Sequence, residues 1–379
     1  MRNRFTIRQR RVLGLLFFRL KRFWLGLLIP LSLGLIVLAH RHPQITERWF
    51  SQGLYRVFTE TYGRLFGYLP FSVSQFLIIL FPVAALIYVG VEVGGIIKGS
   101  QIKRRVSRLM ANASCTVGIL FFMYTMLCGL NYARLEFGEL IGLEVRPSPV
   151  AELVLLGETL AQQVSELSYD VNRDDEGRMI IFAENHFALA KNARSVFSVA
   201  AKDHPVLEGF VPLPKPILYS RFMSRLNISG IYSPFTMEAH ANVHMPDYHI
   251  PAIMIHELAH FRGIMREDEA NFIAWLISTQ SGDIDFMYSG GMLAFAHTMN
   301  QLQRASRDDW QRIWGGVSEG VWIDFAANRE YWRQFEGPIA EISHAANDAY
   351  LRANRQEDGV ASYGRMVDLL LAYFRQAGP

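Results

Sequence analysis

Cysteine is nearly absent from this 379-residue chain, which has only Cys115 and Cys128. Both fall in one apolar run. Thirteen positions at 100° each place them on different faces of a helix, so they cannot pair within it. No disulfide framework is therefore available to the rest of the chain. Charge is also sparse, at 19% of residues against 50% hydrophobic. That balance excludes a disordered chain or a coiled coil. Acidic residues are missing altogether from positions 1–22, which carry Arg2, Arg4, Arg8, Arg10, Arg11, Arg19, Lys21 and Arg22. A basic arm of this kind suits nucleic acid or anionic lipid. The residues that follow decide for lipid and against nucleic acid. There is no internal repeat and no low-complexity tract.

What the chain does have is long apolar runs, at 23–39, 71–91 and 109–130. Each is near the ~20 residues that a helix needs to cross a bilayer core. The first lacks a small-x-small cleavage pattern before His40, so it reads as an uncleaved anchor rather than a signal peptide. The short loop between the second and third runs holds Lys98, Lys103, Arg104, Arg105 and Arg108. Together with the basic arm, this puts the N-terminus and that loop on the cytoplasmic side. The loop from His40 to Pro70, in which Glu47 and Glu60 dilute four arginines, is expected to face outward. Residues 1–135 are then a membrane anchor with three spans, and 136–379 an extracytoplasmic domain.

Helical apolar spacing marks 148–171 and 183–203 as amphipathic helices. The Pro- and Gly-rich stretch that follows breaks any helix, with short strands expected at 216–223 and 230–245. After Pro251 the chain reads as helical almost to its end. The fold class is a mainly helical α+β domain on a transmembrane anchor.

The chemistry concentrates in "IMIHELAHFRGIMREDEANFIA", residues 253–274. His256 and His260 are four apart, so on a helix both imidazoles leave one face and can grip one metal ion. Glu257 projects about 100° round from His256, which in an HExxH site sets its carboxylate beside the water as a general base rather than on the metal. A catalytic zinc site needs three protein ligands and an open position. Gly263 can end the helix and reverse the chain, and Glu267 or, in a longer turn, Glu269 can return as the third ligand. Arg266 stands where a metzincin would need its last histidine, and an arginine cannot bind zinc. The polar flanks "HANVHMPDYH" and "REDEAN" exclude a motif buried inside a span. His240, His244 and His249 read as solvent-facing strand or loop residues rather than a second metal site. The stretch 233–247 alternates well enough to be an edge strand to which an extended substrate could add. Donors for a developing oxyanion are sought downstream, at Tyr288, His344, Tyr350, Tyr363 and Arg365.

A carboxylate near the start of a helix packed on the HExxH helix resembles the gluzincin metallopeptidases. The string "REDEAN" (266–271) is also similar to an element of CAAX-protease-type membrane metallopeptidases. That resemblance makes Glu267 the ligand and Asn271 the group that orients a ligand histidine, with Asn271 in place of the usual aspartate. Over most of its length the chain resembles an uncharacterised bacterial family of zincin-like membrane proteins of unknown function. The residues that carry this are "HPQITERWFSQGLYRVF", "GYLPFSVSQFL", "GIYSPFTMEAHANVHMPD", the HELAH helix with "REDEANF", and "NDAYLRANRQEDGVASYGRMVDLLLAY". The resemblance implies a multi-pass protein of the bacterial inner membrane holding one Zn2+. The expected activity is peptide-bond hydrolysis on a peptide or protein substrate such as an envelope protein. The alternative is a catalytically silent zinc-binding membrane receptor or scaffold. The charge asymmetry makes a direct prediction. A phosphatase reporter fused after residue 379 should be active outside the cell, and an inactive fusion would place the domain in the cytoplasm.

Overall fold

The computed structural model describes residues 22, 24–356, 359 and 365–377. Four long helices come first. Helix α1 (Leu25–Arg41) bends by 103° into α2 (Pro43–Gly67), and α3 (Val73–Ile97) and α4 (Ile102–Leu127) follow as a hairpin. By length and composition α3 and α4 can each cross a membrane, and the bent pair makes a third span if counted as one. The 25 residues of α3 rise about 37 Å at 1.5 Å each, more than the hydrocarbon core requires. Helix α1 runs beside α4 in the same direction. Arg22 donates to Asn112 at 2.9 Å near one end, and Ala39 packs with Leu130 near the other. At the hairpin turn Glu92 pairs with Arg105 at 3.0 Å and Arg108 at 3.2 Å. These apolar helices mark a membrane protein.

The segment 40–70, expected as a loop, is mostly the helix α2. Besides Thr46, its buried residues recur every four positions: Glu47, Ser51, Tyr55, Thr59, Gly63 and Gly67. On an α-helix such a stripe would drift by about 40° per step. The stretches Thr46–Leu54 and Thr59–Gly63 are instead wound as wider π-helix, which absorbs the drift. The stripe is largely polar, so no apolar period announced it.

Beyond α4 the expected helices appear as α5 (Val150–Leu167) and α6 (His186–Ala200). The sheet has strands β1 (Lys215–Pro216), β2 (Gly230–Ser233) and β3 (Glu238–Ala241) in the order β1-β3-β2. β1 runs parallel to β3, pairing Lys215 with His240. β2 runs antiparallel, pairing Gly230 with Ala241. Two expectations are corrected here. Most of 216–223 is not strand, because a short helix α7 (Ser220–Arg225) occupies it. The strand within 233–247 is not an edge but the fully buried centre of the sheet. Its polar alternation faces the start of α3 rather than water. Glu238 accepts from the Val73 and Ser74 amides at 3.0 and 2.8 Å, and Ser72 donates to His240 Nε2 at 2.7 Å.

The rest is helical: α8 (Ile250–Phe261), α9 (Glu267–Thr279), α10 (Ile284–Ala305), α11 (Arg307–Trp314), α12 (Glu319–Arg333), α13 (Pro338–Ala353) and α14 (Met366–Ala377). Helices α8 and α9 are buried on nearly all sides, with Met254, Ile255, Leu258, Phe272, Ile273 and Leu276 in one core with Leu156, Leu160 and Phe295.

The anchor and the domain meet through Arg134. Its Nε and Nη2 donate to the two Glu47 oxygens at 2.9 and 2.6 Å, and Nη1 donates to the Gly263 carbonyl at 3.1 Å. Both side chains are buried, at 2% and 5% exposure. Removing one partner would leave the other charge buried and unpaired, a cost of about 3–5 kcal/mol. Arg134→Ala should therefore sharply lower the thermal unfolding midpoint of the detergent-solubilised protein. A double change of Arg134→Met with Glu47→Leu should recover most of it, and equal losses in both would refute this account.

Candidate metal centre

Pro251 lies in the first turn of α8, where its missing N–H removes no helix bond. His256 and His260 then leave one face, with ring centroids 4.6 Å apart. The helix ends in a Schellman turn. The Gly263 amide donates to the His260 carbonyl at 2.9 Å and the Ile264 amide to Ala259 at 3.1 Å, with Gly263 at φ +83°. Only glycine takes that backbone angle without strain. The reversal makes Glu267 the first residue of α9 and returns it to the histidines. Its carboxylate lies 3.2 Å from His256 Nε2 and 3.7 Å from His260 Nε2.

These three residues each offer one ligand atom within 4.8 Å of the others. Two donors held tetrahedrally by zinc at 2.0–2.1 Å lie roughly 3.3 Å apart, so the observed separations fit such an ion. The donor atoms are also prepared for one. His260 Nδ1–H donates to the Ile264 carbonyl at 2.7 Å, so in the neutral ring the lone pair is on Nε2, facing the cluster. His256 Nδ1 has no hydrogen-bond partner. Asn271 stands beside this ring and favours its protonated form without closing a bond to Nδ1.

Electrostatics follow from burial and mutual charge. Burial pushes the Glu257 carboxyl up, to about 8, and one of its oxygens has no partner. Burial lowers His256, outweighing the attraction of Glu267. His260 is pulled the other way: burial opposes its charge, but Glu267 and Glu257 raise it to about 9. Burial disfavours the Glu267 carboxylate, yet the two imidazoles hold it well below the usual range.

The other expected residues divide. Glu269 is turned away, accepting from the Phe137 amide and from Arg266, both at 2.8 Å. The Tyr288 hydroxyl is committed to Asp324 at 2.6 Å in the core. Tyr350 accepts from Tyr124 and Tyr132, each at 3.2 Å, and lies 3.8 Å from Cys128 Sγ. His344 is exposed on α13, and Arg365 pairs with Asp268 at 3.3 Å. Tyr363 lies outside the described residues. His240, His244 and His249 go to separate partners, Ser72, Tyr331 and Asn328. His240 is buried rather than solvent-facing, because the start of α3 supplies its partners.

Two neighbours were missed. Gly230 of β2 faces Glu257 so closely that a methyl group there would collide with the carboxylate. His297 of α10 lies near enough to His256 for their charges to repel, and burial lowers it to about 4. The lone histidine in "AFAHTM" was the available signal for His297. Nothing local marked Gly230.

Residues 50–371 match the model of a family described as "Protein of unknown function (DUF3810)". The chain belongs to that family. A search of curated proteins and of solved structures finds no match.

The geometry separates the two glutamates. His256→Ala, His260→Ala or Glu267→Ala should each strip one equivalent of zinc from the purified full-length protein, read by atomic emission. Glu269→Gln should retain it. Full zinc in the Glu267 variant would reassign the third ligand.

Proposed function

We propose that this protein is a membrane-anchored zinc metallopeptidase whose domain faces away from the cytoplasm of a bacterial cell. The observation that carries this reading is the return of Glu267 onto His256 and His260, with Glu257 beside them as a carboxylate that is not needed as a ligand. His256, His260 and Glu267 are the ligand set. When bound, zinc supplies a Lewis acid for the scissile carbonyl and acidifies a water molecule.

The chain's own groups do the rest. The Ile264 carbonyl keeps the proton of His260 on Nδ1, so Nε2 stays free to bind metal. Glu257 accepts the proton of the attacking water and hands it to the leaving amine. Among the described residues β2 has a paired neighbour only in β3, and its Gly230 lies against Glu257. An extended polypeptide added along β2 would therefore pass the general base. The turn between His260 and Glu267 is bonded to residues just past α4. Arg266 donates to the carbonyls of Tyr132 and Leu135, both at 3.4 Å. The substrate is accordingly polypeptide close to the membrane, such as an envelope protein.

A second reading, a silent receptor or scaffold with structural zinc, is favoured by one observation. His256 and His260 are only 6% and 7% exposed. One variant separates the readings. Glu257→Gln should keep its zinc yet lower hydrolysis of an unstructured protein by about 10²–10⁴-fold, with both chains reconstituted at full length in liposomes. Zinc bound without hydrolysis by the unsubstituted chain, and full biological complementation by Glu257→Gln, would establish the silent protein instead.

A further inference from the structure

Where α3 begins, the domain exposes side chains that a water-facing surface would hide. Leu218 is 75% exposed, Tyr219 52% and Phe222 57%. Phe71, just before α3, and Phe76, in its first turn, are exposed as well. The position of this patch is set by hydrogen bonds. Gln75, in the first turn of α3, accepts from the Leu218 amide at 2.9 Å and donates to the Pro216 carbonyl at 3.4 Å. Lys215 is buried and donates to the Phe71 and Phe66 carbonyls at 2.8 and 3.0 Å. The stretch is thus held at the level where the apolar helix starts, and Arg221 and Arg225 are exposed within it.

We propose that Leu218–Phe222 is a membrane-docking element, inserted into the phospholipid leaflet that α3 enters. Leu218 and Phe222 would reach the upper acyl chains, where large apolar side chains are favoured over water. Tyr219 matches the interface, with an apolar ring and a polar tip. Arg221 and Arg225 extend their charged heads to lipid phosphates. Lipid is the occupant because the element is bonded to the span itself, so its depth is fixed by the helix that crosses the same leaflet. The bonds to Gln75 and Lys215 also mean that little ordering opposes insertion. Through β1 and β3 the element sets the distance of the sheet from the membrane surface.

Depth-dependent fluorescence quenching tests this on the full-length chain in vesicles of phosphatidylcholine and phosphatidylglycerol. A thiol-reactive fluorophore is placed at Leu218→Cys, at Phe222→Cys and, as a remote exposed control, at Tyr169→Cys. The unsubstituted chain, treated identically, gives the background of Cys115 and Cys128. Labels at 218 and 222 should be quenched several-fold more than at 169 by lipids carrying a nitroxide high on the acyl chain, and shielded from aqueous iodide. Equal iodide access at all three sites would overturn the proposal. Shielding from both quenchers would also overturn it and assign the patch to a protein partner such as a second copy.

Discussion

One buried guanidinium ties the membrane helices to the candidate metal centre. Arg134 follows the short turn Gly129–Ala133 after α4, grips Glu47 on α2 and donates to Gly263 in the turn between α8 and α9. None of these groups has water to fall back on, so each is satisfied only when all are in place. The turn that sets Glu267 against His256 and His260 is therefore shaped partly by residues next to the membrane helices. Tyr55 of α2 adds a hydroxyl donated to the Phe261 carbonyl at 3.2 Å, and Cys128 Sγ lies 3.6 Å from Met265 Sδ. Anchor and domain share one interior at this point.

A second joint acts through the sheet. A carboxylate at a helix N-terminus answers both unpaired amides and the helix dipole, and Glu238 does this for α3 from the central strand. Lys215 on β1 pairs with Glu238 and neutralises it. Burying such a pair is tolerable because both Glu238 oxygens also accept helix amides, from Val73 and Ser74, and Lys215 also donates to the Phe66 and Phe71 carbonyls. The strand that neighbours β2 is thereby bonded to the membrane helix, and β2 in turn touches Glu257.

These two joints also explain which parts were legible from residues alone. The helices at 150–167 and 186–200 announce themselves by local period, because each buries one apolar face; the apolar runs show by uncharged length alone, and the HELAH helix by the spacing of its histidines. Helix α2 did not, since the face it buries is made of Glu47, Ser51 and Thr59 together with Tyr55 and two glycines. Strand β3 was visible as alternation but misplaced to an edge. Alternating polar residues ordinarily mean solvent on one side, and here a helix terminus takes the place of solvent.

Local spacing alone determined that His256 and His260 share a face, that Glu257 cannot point with them, and that Gly263 can end their helix. Those are consequences of 3.6 residues per turn and of glycine's missing side chain. Which glutamate returns to the histidines was a question of three dimensions. Both lie in the first turn of α9, and their side chains leave that turn in different directions. The docking of α9 on α8 aims Glu267 at the imidazoles, while Glu269 meets the Phe137 amide and Arg266. Tertiary structure likewise decided that Tyr288 and Tyr350 spend their hydroxyls elsewhere, and that Gly230 faces Glu257. Long-range packing sets those positions, and no period in the chain encodes it.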